Sequence, residues 1–388
     1  MSERTSPARM VDQLSRRQLL KAAGGFALTA AGLSLLEACG PRPATPSAAS
    51  GGLETTTIRI LLTEKVSICQ APLWVAESFL RAEGFTNIQY IQSSAATLVV
   101  DDLANGQGDI TLQFSGPTIL YLDAGKPLTI LAGVHVGCFV LFGSAGVKAI
   151  GDLRGKNLAI SQIGGPDHVY LASMLANVNI DPVKEVTWTT LPPPETTQLF
   201  IDGKIDAVMA FPPTAQELFD KQIGHVVANS MTDKPWSDYY CCMVTVSPDY
   251  LHKNPIASKA ALRAILQATD VCALHPDQPA KIMFNKGFAT DYKYALEAMA
   301  EIPYNRWRLY DPEDTVRFYS LLLHGVGMVK STPDQIIQKG TNWTFLKELK
   351  AELPATPAPA TGLAATHNLF CAVPGSQSIG LEQPRKAE

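Results

Sequence analysis

Three short loops in this chain carry residue types that gather around a small, negatively charged solute. The first, 67 to 71, holds Ser67, Cys69 and Gln70; the second is Ser115-Gly116; the third is Gly164-Gly165, followed by Asp167 and His168. Each reads as a helix start, and the first turn of a helix leaves N–H groups free to meet an anion without a basic side chain. Ser93-Ser94-Ala95-Ala96-Thr97 opens another helix and adds Ser94 to the candidates. Such donors suit a sulfonate, phosphate or carboxylate head group, and the same residues also serve as ordinary helix caps. Trp236, Tyr239 and Tyr240 stand beside Cys241-Cys242, offering aromatic faces to a flat ring or a cation. Adjacent cysteines are poor disulfide partners for each other. They could serve a soft metal or redox chemistry, or act as two small buried hydrophobes. His135 and His168 are the histidines that fall at cleft-facing loops.

Other chemistries lack their signatures. Gly-x-Ser-x-Gly, His-Glu-x-x-His and the Gly-x-x-x-x-Gly-Lys-Ser/Thr phosphate loop do not occur, and no Gly-x-Gly-x-x-Gly follows the first strand. The seven cysteines contain no Cys-x-x-Cys pair, which argues against a structural zinc site or a disulfide framework. The residues therefore suggest a protein that binds rather than catalyses, with no metal and no cofactor. A formal net charge of −4 and no long basic run beyond the N-terminus speak against nucleic acid.

The elements that must position these groups are organised around a stretch that occurs twice. Gly106-Gln107-Gly108-Asp109 leads into an apolar run and Phe114-Ser115-Gly116-Pro117-Thr118; Gly203-Lys204-Ile205-Asp206 leads into another and Phe211-Pro212-Pro213-Thr214. Each copy spells helix end, turn, strand, loop and next helix. Two such units in 388 residues predict two α/β lobes. The cleft between them, with Phe211 at its edge, is where a small ligand would sit.

Strands are expected over 57 to 62, 85 to 92, 109 to 114 and 128 to 134, with helices between them, and the scheme repeats from 157 to 228. This places lobe 1 at 56 to 147, lobe 2 at 148 to 238 and a helical completion of lobe 1 at 239 to 350. The crossings are expected near 141 to 148 and 238 to 246. Pro, Ala, Ser and Thr dominate 40 to 55 and the chain beyond 351, as in a flexible leash and a disordered tail. Residues 1 to 39 resemble a twin-arginine export signal, Ser15-Arg16-Arg17-Gln18-Leu19-Leu20-Lys21 before an apolar stretch, ending in a lipobox at Leu36-Glu37-Ala38-Cys39. Cys39 would carry the lipid.

The run 103 to 133, Gly151-Asp152-Leu153-Arg154-Gly155-Lys156-Asn157, the second repeat and the export signal together resemble the ABC-transporter substrate-binding proteins of the nitrate, sulfonate and taurine type. The thiamin-pyrimidine synthases are similar to that same group. The resemblance implies a type II periplasmic-binding-protein fold, α/β, with a mostly parallel sheet flanked by helices in each lobe and two crossovers. It also implies a monomer, anchored outside the cytoplasmic membrane by lipid, that passes a sulfonate, nitrate, taurine or pyrimidine-like compound to a permease and its ATPase. The synthases carry a longer cysteine cluster where this chain has only Cys241-Cys242. An enzyme of that kind, or an exported sensor without a transporter, remains the alternative.

Overall fold

The computed structural model describes residues 52–63, 67–93 and 98–354. The export signal, Cys39, most of the leash, Ser94 and the tail beyond 354 lie outside the described residues.

The first lobe opens with β1 (Thr57–Leu62), a β-branched and aliphatic run whose last three residues are all buried. The short helices α1 (Ala71–Val75) and α2 (Glu77–Ala82) lead to β2 (Asn87–Gln92), α3 (Leu98–Ala104), β3 (Ile110–Phe114), α4 (Ser115–Asp123) and β4 (Thr129–Val136). The second lobe comprises β5 (Val140–Gly143), β6 (Asn157–Ile160), α5 (Pro166–Asn177), β7 (Thr187–Thr190), α6 (Pro193–Ile201), β8 (Ala207–Ala210), α7 (Thr214–Asp220) and β9 (His225–Asn229). The chain returns as β10 (Tyr240–Val246). It continues through α8 (Pro248–Lys253), α9 (Pro255–Leu274), α10 (Asp277–Asn285), α11 (Tyr292–Glu301), α12 (Pro312–Gly325), α13 (Pro333–Gly340) and α14 (Thr344–Glu352).

Each lobe has a five-stranded sheet, in the orders β2-β1-β3-β10-β4 and β7-β6-β8-β5-β9. In both, three parallel strands are followed by one antiparallel strand, β10 or β5, which is the first strand laid down after a crossover. The sheets are thus related in order as well as in content.

The boundary read from the sequence shifts here. Residues 136 to 142 look like one apolar run, yet Gly137 breaks it at φ +46° and β5 joins the second sheet. The outgoing crossover is therefore residues 137–139, and the return runs over 230–239. The two passages touch. A side chain at position 137 would place Cβ 2.2 Å from the Ser230 carbonyl oxygen, so only glycine fits. Ser230 Oγ accepts from the Cys138 and Phe139 amides at 3.1 and 2.8 Å and lies 2.8 Å from the Phe139 carbonyl. After the return, α9 packs on α1 and α2 and completes the first lobe, while α12 touches both α4 and α5.

The repeated stretch has a clear physical role. Gly106 and Gly203 close α3 and α6 at φ +70° and +69°, a conformation glycine adopts without strain. The aspartate three residues on then clasps the neighbouring strand. Asp109 Oδ2 accepts from the Arg59 amide at 2.7 Å while its own N–H donates to the Arg59 carbonyl. Asp206 does the same to Asn157, at 2.9 Å and 2.8 Å. Asp109 is the more deeply buried of the two, and it also pairs with the Arg59 guanidinium at 2.6 Å. Asp109→Ala is expected to lower the unfolding free energy by about 3 kcal/mol, since it leaves a half-buried cation and an amide unmet. Asp206→Ala, at a wetter position, should cost about 1 kcal/mol. Chemical denaturation measures both, and equal losses would contradict this ranking.

Candidate functional site

The two copies of the repeat end facing each other. Phe114 at the end of β3 and Phe211 just past β8 have ring centroids 6.4 Å apart, and Phe139 of the outgoing crossover lies 5.5 and 5.8 Å from them. Phe139 stacks on Tyr170 of α5 at 4.6 Å. Tyr170 in turn meets Trp236 of the return crossover and Tyr319 of α12, each at 5.8 Å. Gly116 permits the approach of the lobes, because a Cβ there would sit 2.8 Å from Val169 Cγ1 of α5. Ser67 Oγ donates to the Pro212 carbonyl at 3.3 Å and ties the first loop to the opposite lobe.

Several residues singled out from the sequence meet at this junction. Ser67, Ser115, Gly116, Trp236 and Cys241 are all buried at or beside it, and Phe211 is half-buried against its aromatic rings. Cys241 Sγ lies 2.8 Å from Cys138 Sγ. Cys69 Sγ donates to Ser67 Oγ at 3.2 Å. Gln70 is spent on structure, accepting from Thr63 Oγ1 and donating to the Leu112 carbonyl. Tyr239 stacks flat on Phe318 of α12 at 3.8 Å.

Two expectations need correction. Tyr240 does not line the cleft: it is fully buried, with its hydroxyl donating to the Trp307 and Tyr310 carbonyls at 2.8 and 3.1 Å and its ring filling the space that Gly133 leaves. The helix start at Gly164-Gly165 is not free for an anion either. The Asp167 carboxylate already sits there, accepting from the Ser161 amide and hydroxyl at 2.5 and 2.9 Å and from the His168 amide at 2.9 Å. A helix N-terminus that holds its own carboxylate has met its need for negative charge.

His168 completes that corner. Its Nδ1 accepts from the Gly164 amide at 3.0 Å, which leaves the ring proton on Nε2, and its ring meets Trp188 edge-on at 4.8 Å. His135, on β4, is fully buried, and its Nδ1 lies 3.3 Å from the Val136 and Gly137 carbonyls. Burial alone would lower its pKa, but Cys242 and then Cys69 outweigh it and raise the value to about 10.

The sequence reading passed over Cys138, Phe139, Tyr170, Phe318 and Tyr319. None lies in a motif, and α12 reaches the junction only through the tertiary fold. The Tyr170 and Tyr319 hydroxyls are buried without hydrogen-bond partners. A separate groove of about 320 Å³, lined by Ala176, Asn179, Asp181, Glu185, Leu321 and Gly325, contains none of the predicted residues.

Two mixed α/β lobes joined by two adjacent passages, with a buried aromatic junction between them, define a periplasmic-binding-protein fold. The chain belongs to the NMT1-like family, whose model matches residues 56–284. The nitrate/nitrite binding protein NrtA of Nostoc sp. strain PCC 7120 is 24% identical over 258 residues, covering 60% of this chain and 57% of that protein. The match thus spans less than two thirds of that relative's length. The nitrate import ATP-binding protein NrtC of Synechocystis sp. strain PCC 6803 is 25% identical over 223 residues, 52% of this chain and 33% of its own. Among solved structures, the periplasmic nitrate-binding protein NrtA from Synechocystis PCC 6803 superposes with a TM-score of 0.65 at 16% identity, covering 80% of this chain and 93% of that one. These relatives are binding and ATPase components of import systems.

Burial lowers the His168 pKa from 6.5 to about 4. Between those values the unfolded chain takes up a proton that the folded one refuses, so stability falls as pH drops through this window and levels off below it. The span corresponds to roughly 3 kcal/mol. Burial raises the Asp167 carboxyl, which acts in the opposite sense, so the difference between proteins is the readout. Melting temperatures from pH 7 to 4 should fall less steeply for His168→Asn, which keeps an acceptor for Gly164, than for the wild type. Parallel curves would refute the assignment.

Proposed function

We propose that this protein is the extracytoplasmic substrate-binding component of an ABC importer, closing its two lobes over a small solute and handing it to a permease. The observation that carries the reading is the pair of buried, unpartnered hydroxyls of Tyr170 and Tyr319, which come from opposite lobes and are surrounded by aromatic rings. A buried hydroxyl without a partner costs about 1 to 3 kcal/mol, and a ligand acceptor atom recovers it. A group from each lobe also makes the ligand bridge the two, which is how binding favours the closed arrangement.

The N–H groups at the start of α4, where Ser115 is buried and no side chain caps the helix, supply further donors. Phe139 and Trp236 supply flat surfaces. This combination suits a small, largely planar or zwitterionic anion, or an acceptor-rich ring, in the range of nitrate, sulfonates, taurine and pyrimidines. Its specificity rests on hydrogen bonds and ring contacts rather than on a basic side chain. The Cys39 lipobox would hold the protein at the outer face of the cytoplasmic membrane.

A thermal-shift screen of the full chain against those four compound classes should raise the melting temperature for one, because a ligand that binds only the folded state stabilises it. In calorimetry with that compound, Tyr319→Phe, Ser115→Ala and Trp236→Ala should each weaken binding by about 1 to 3 kcal/mol, with Ser331→Ala unchanged. If all four variants bind alike, the site lies elsewhere. For the anchor, Cys39→Ser should move the protein from the membrane fraction to the soluble one or leave an uncleaved precursor. Unaltered membrane attachment would overturn the lipobox assignment.

A further inference from the structure

The sequence offered no metal-ligand spacing, yet the fold gathers a donor set from three distant points. Cys69 lies in the first loop, His135 lies on β4 and Cys242 lies on β10, opposite His135 in the strand register. One ligand atom from each lies within 4.8 Å of the others, and all three residues are buried. The two sulfurs are 3.9 Å apart. Two thiolates on a tetrahedral zinc, with bonds of about 2.3 Å, stand about 3.8 Å apart.

The imidazole is oriented for the same purpose. A carbonyl oxygen can only accept, so the 3.3 Å contacts of Nδ1 with the Val136 and Gly137 carbonyls place the ring proton on Nδ1. Nε2 is buried with no partner, and any proton it carries is displaced when a metal binds. A histidine with one nitrogen donating to a backbone carbonyl and the other without a partner is oriented as metal-bound imidazoles are.

From this geometry we infer that Cys69, His135 and Cys242 form a site for a thiophilic divalent ion of the zinc type. Charge supports a divalent ion. Two thiolates and a neutral imidazole sum to −2, and no other ion in so buried a pocket balances them as well. Such an ion would join residues from three separate elements. It pins the first loop to the sheet beneath the lobe junction. The inference concerns a site next to the proposed solute site and stands whether or not that solute is identified.

The test is cobalt and zinc binding to the full chain, purified and kept under reducing conditions. Co(II) added to wild-type protein should give a 1:1 complex with the near-ultraviolet thiolate-to-cobalt charge-transfer band and the visible bands of tetrahedral cobalt, and one equivalent of Zn(II) should bleach both. Cys242→Ser and His135→Ala should bind Zn(II) about a hundredfold or more weakly in competition with a chromophoric chelator, while Cys272→Ser, whose thiol is buried outside the cluster, binds as the wild type does. Circular dichroism establishes that each variant is folded, and the wild-type spectrum decides the matter if a variant is not. Absence of the charge-transfer band in the wild type, or an octahedral cobalt spectrum, would overturn the inference.

Discussion

The aspartate clasp at the foot of each sheet is the interaction on which the remaining geometry depends. Asp109 and Asp206 each bind both the N–H side and the C=O side of one residue in the neighbouring strand, and this fixes where β3 and β8 begin. Strand length then fixes where they end. The two ends carry Phe114 and Phe211, which meet across the lobes, so a local hydrogen-bond device sets the position of the junction. Had either strand slipped by one residue, its ring would point to the opposite face of its sheet.

The junction itself is dominated by rings and sulfur. Rings at 4.6 to 6.4 Å each add about 0.5 to 1.5 kcal/mol beyond the area they bury. The lobes therefore hold together over an apolar floor, and the few polar groups left there are conspicuous. Tyr170 and Tyr319 lack partners, whereas Ser67 spends its hydroxyl on Pro212. An apolar floor also strengthens any hydrogen bond made above it, because water is not there to compete.

Local order was legible in the sequence, and long-range meetings were not. The repeat announced two similar lobes because a glycine turn, a clasping aspartate and a strand are short-range features. The helix starts at Ser115 and Gly165 were visible for the same reason. What occupies such a start depends on how nearby side chains turn: Asp167 folds back onto Ser161 and the His168 amide, which the letters Gly164-Gly165-Pro166-Asp167 do not disclose. Tyr240 shares an aromatic cluster with Trp236 in sequence, but it belongs with Trp307 and Tyr310, far along the chain. The donor set of Cys69, His135 and Cys242 spans most of the folded body, so no spacing rule could have found it. The crossover was misplaced because hydropathy alone cannot separate a continuous strand from two strands broken at a glycine.

Gly137 and Ser230 have a mechanical consequence. Two chain passages that ran independently between the lobes would behave as two strings, free to twist and splay. Here Ser230 binds the backbone of Cys138 and Phe139 while Gly137 lets the passages lie in contact, which turns two strings into one pin. A rotation of one lobe against the other would therefore bend both passages together rather than either one alone.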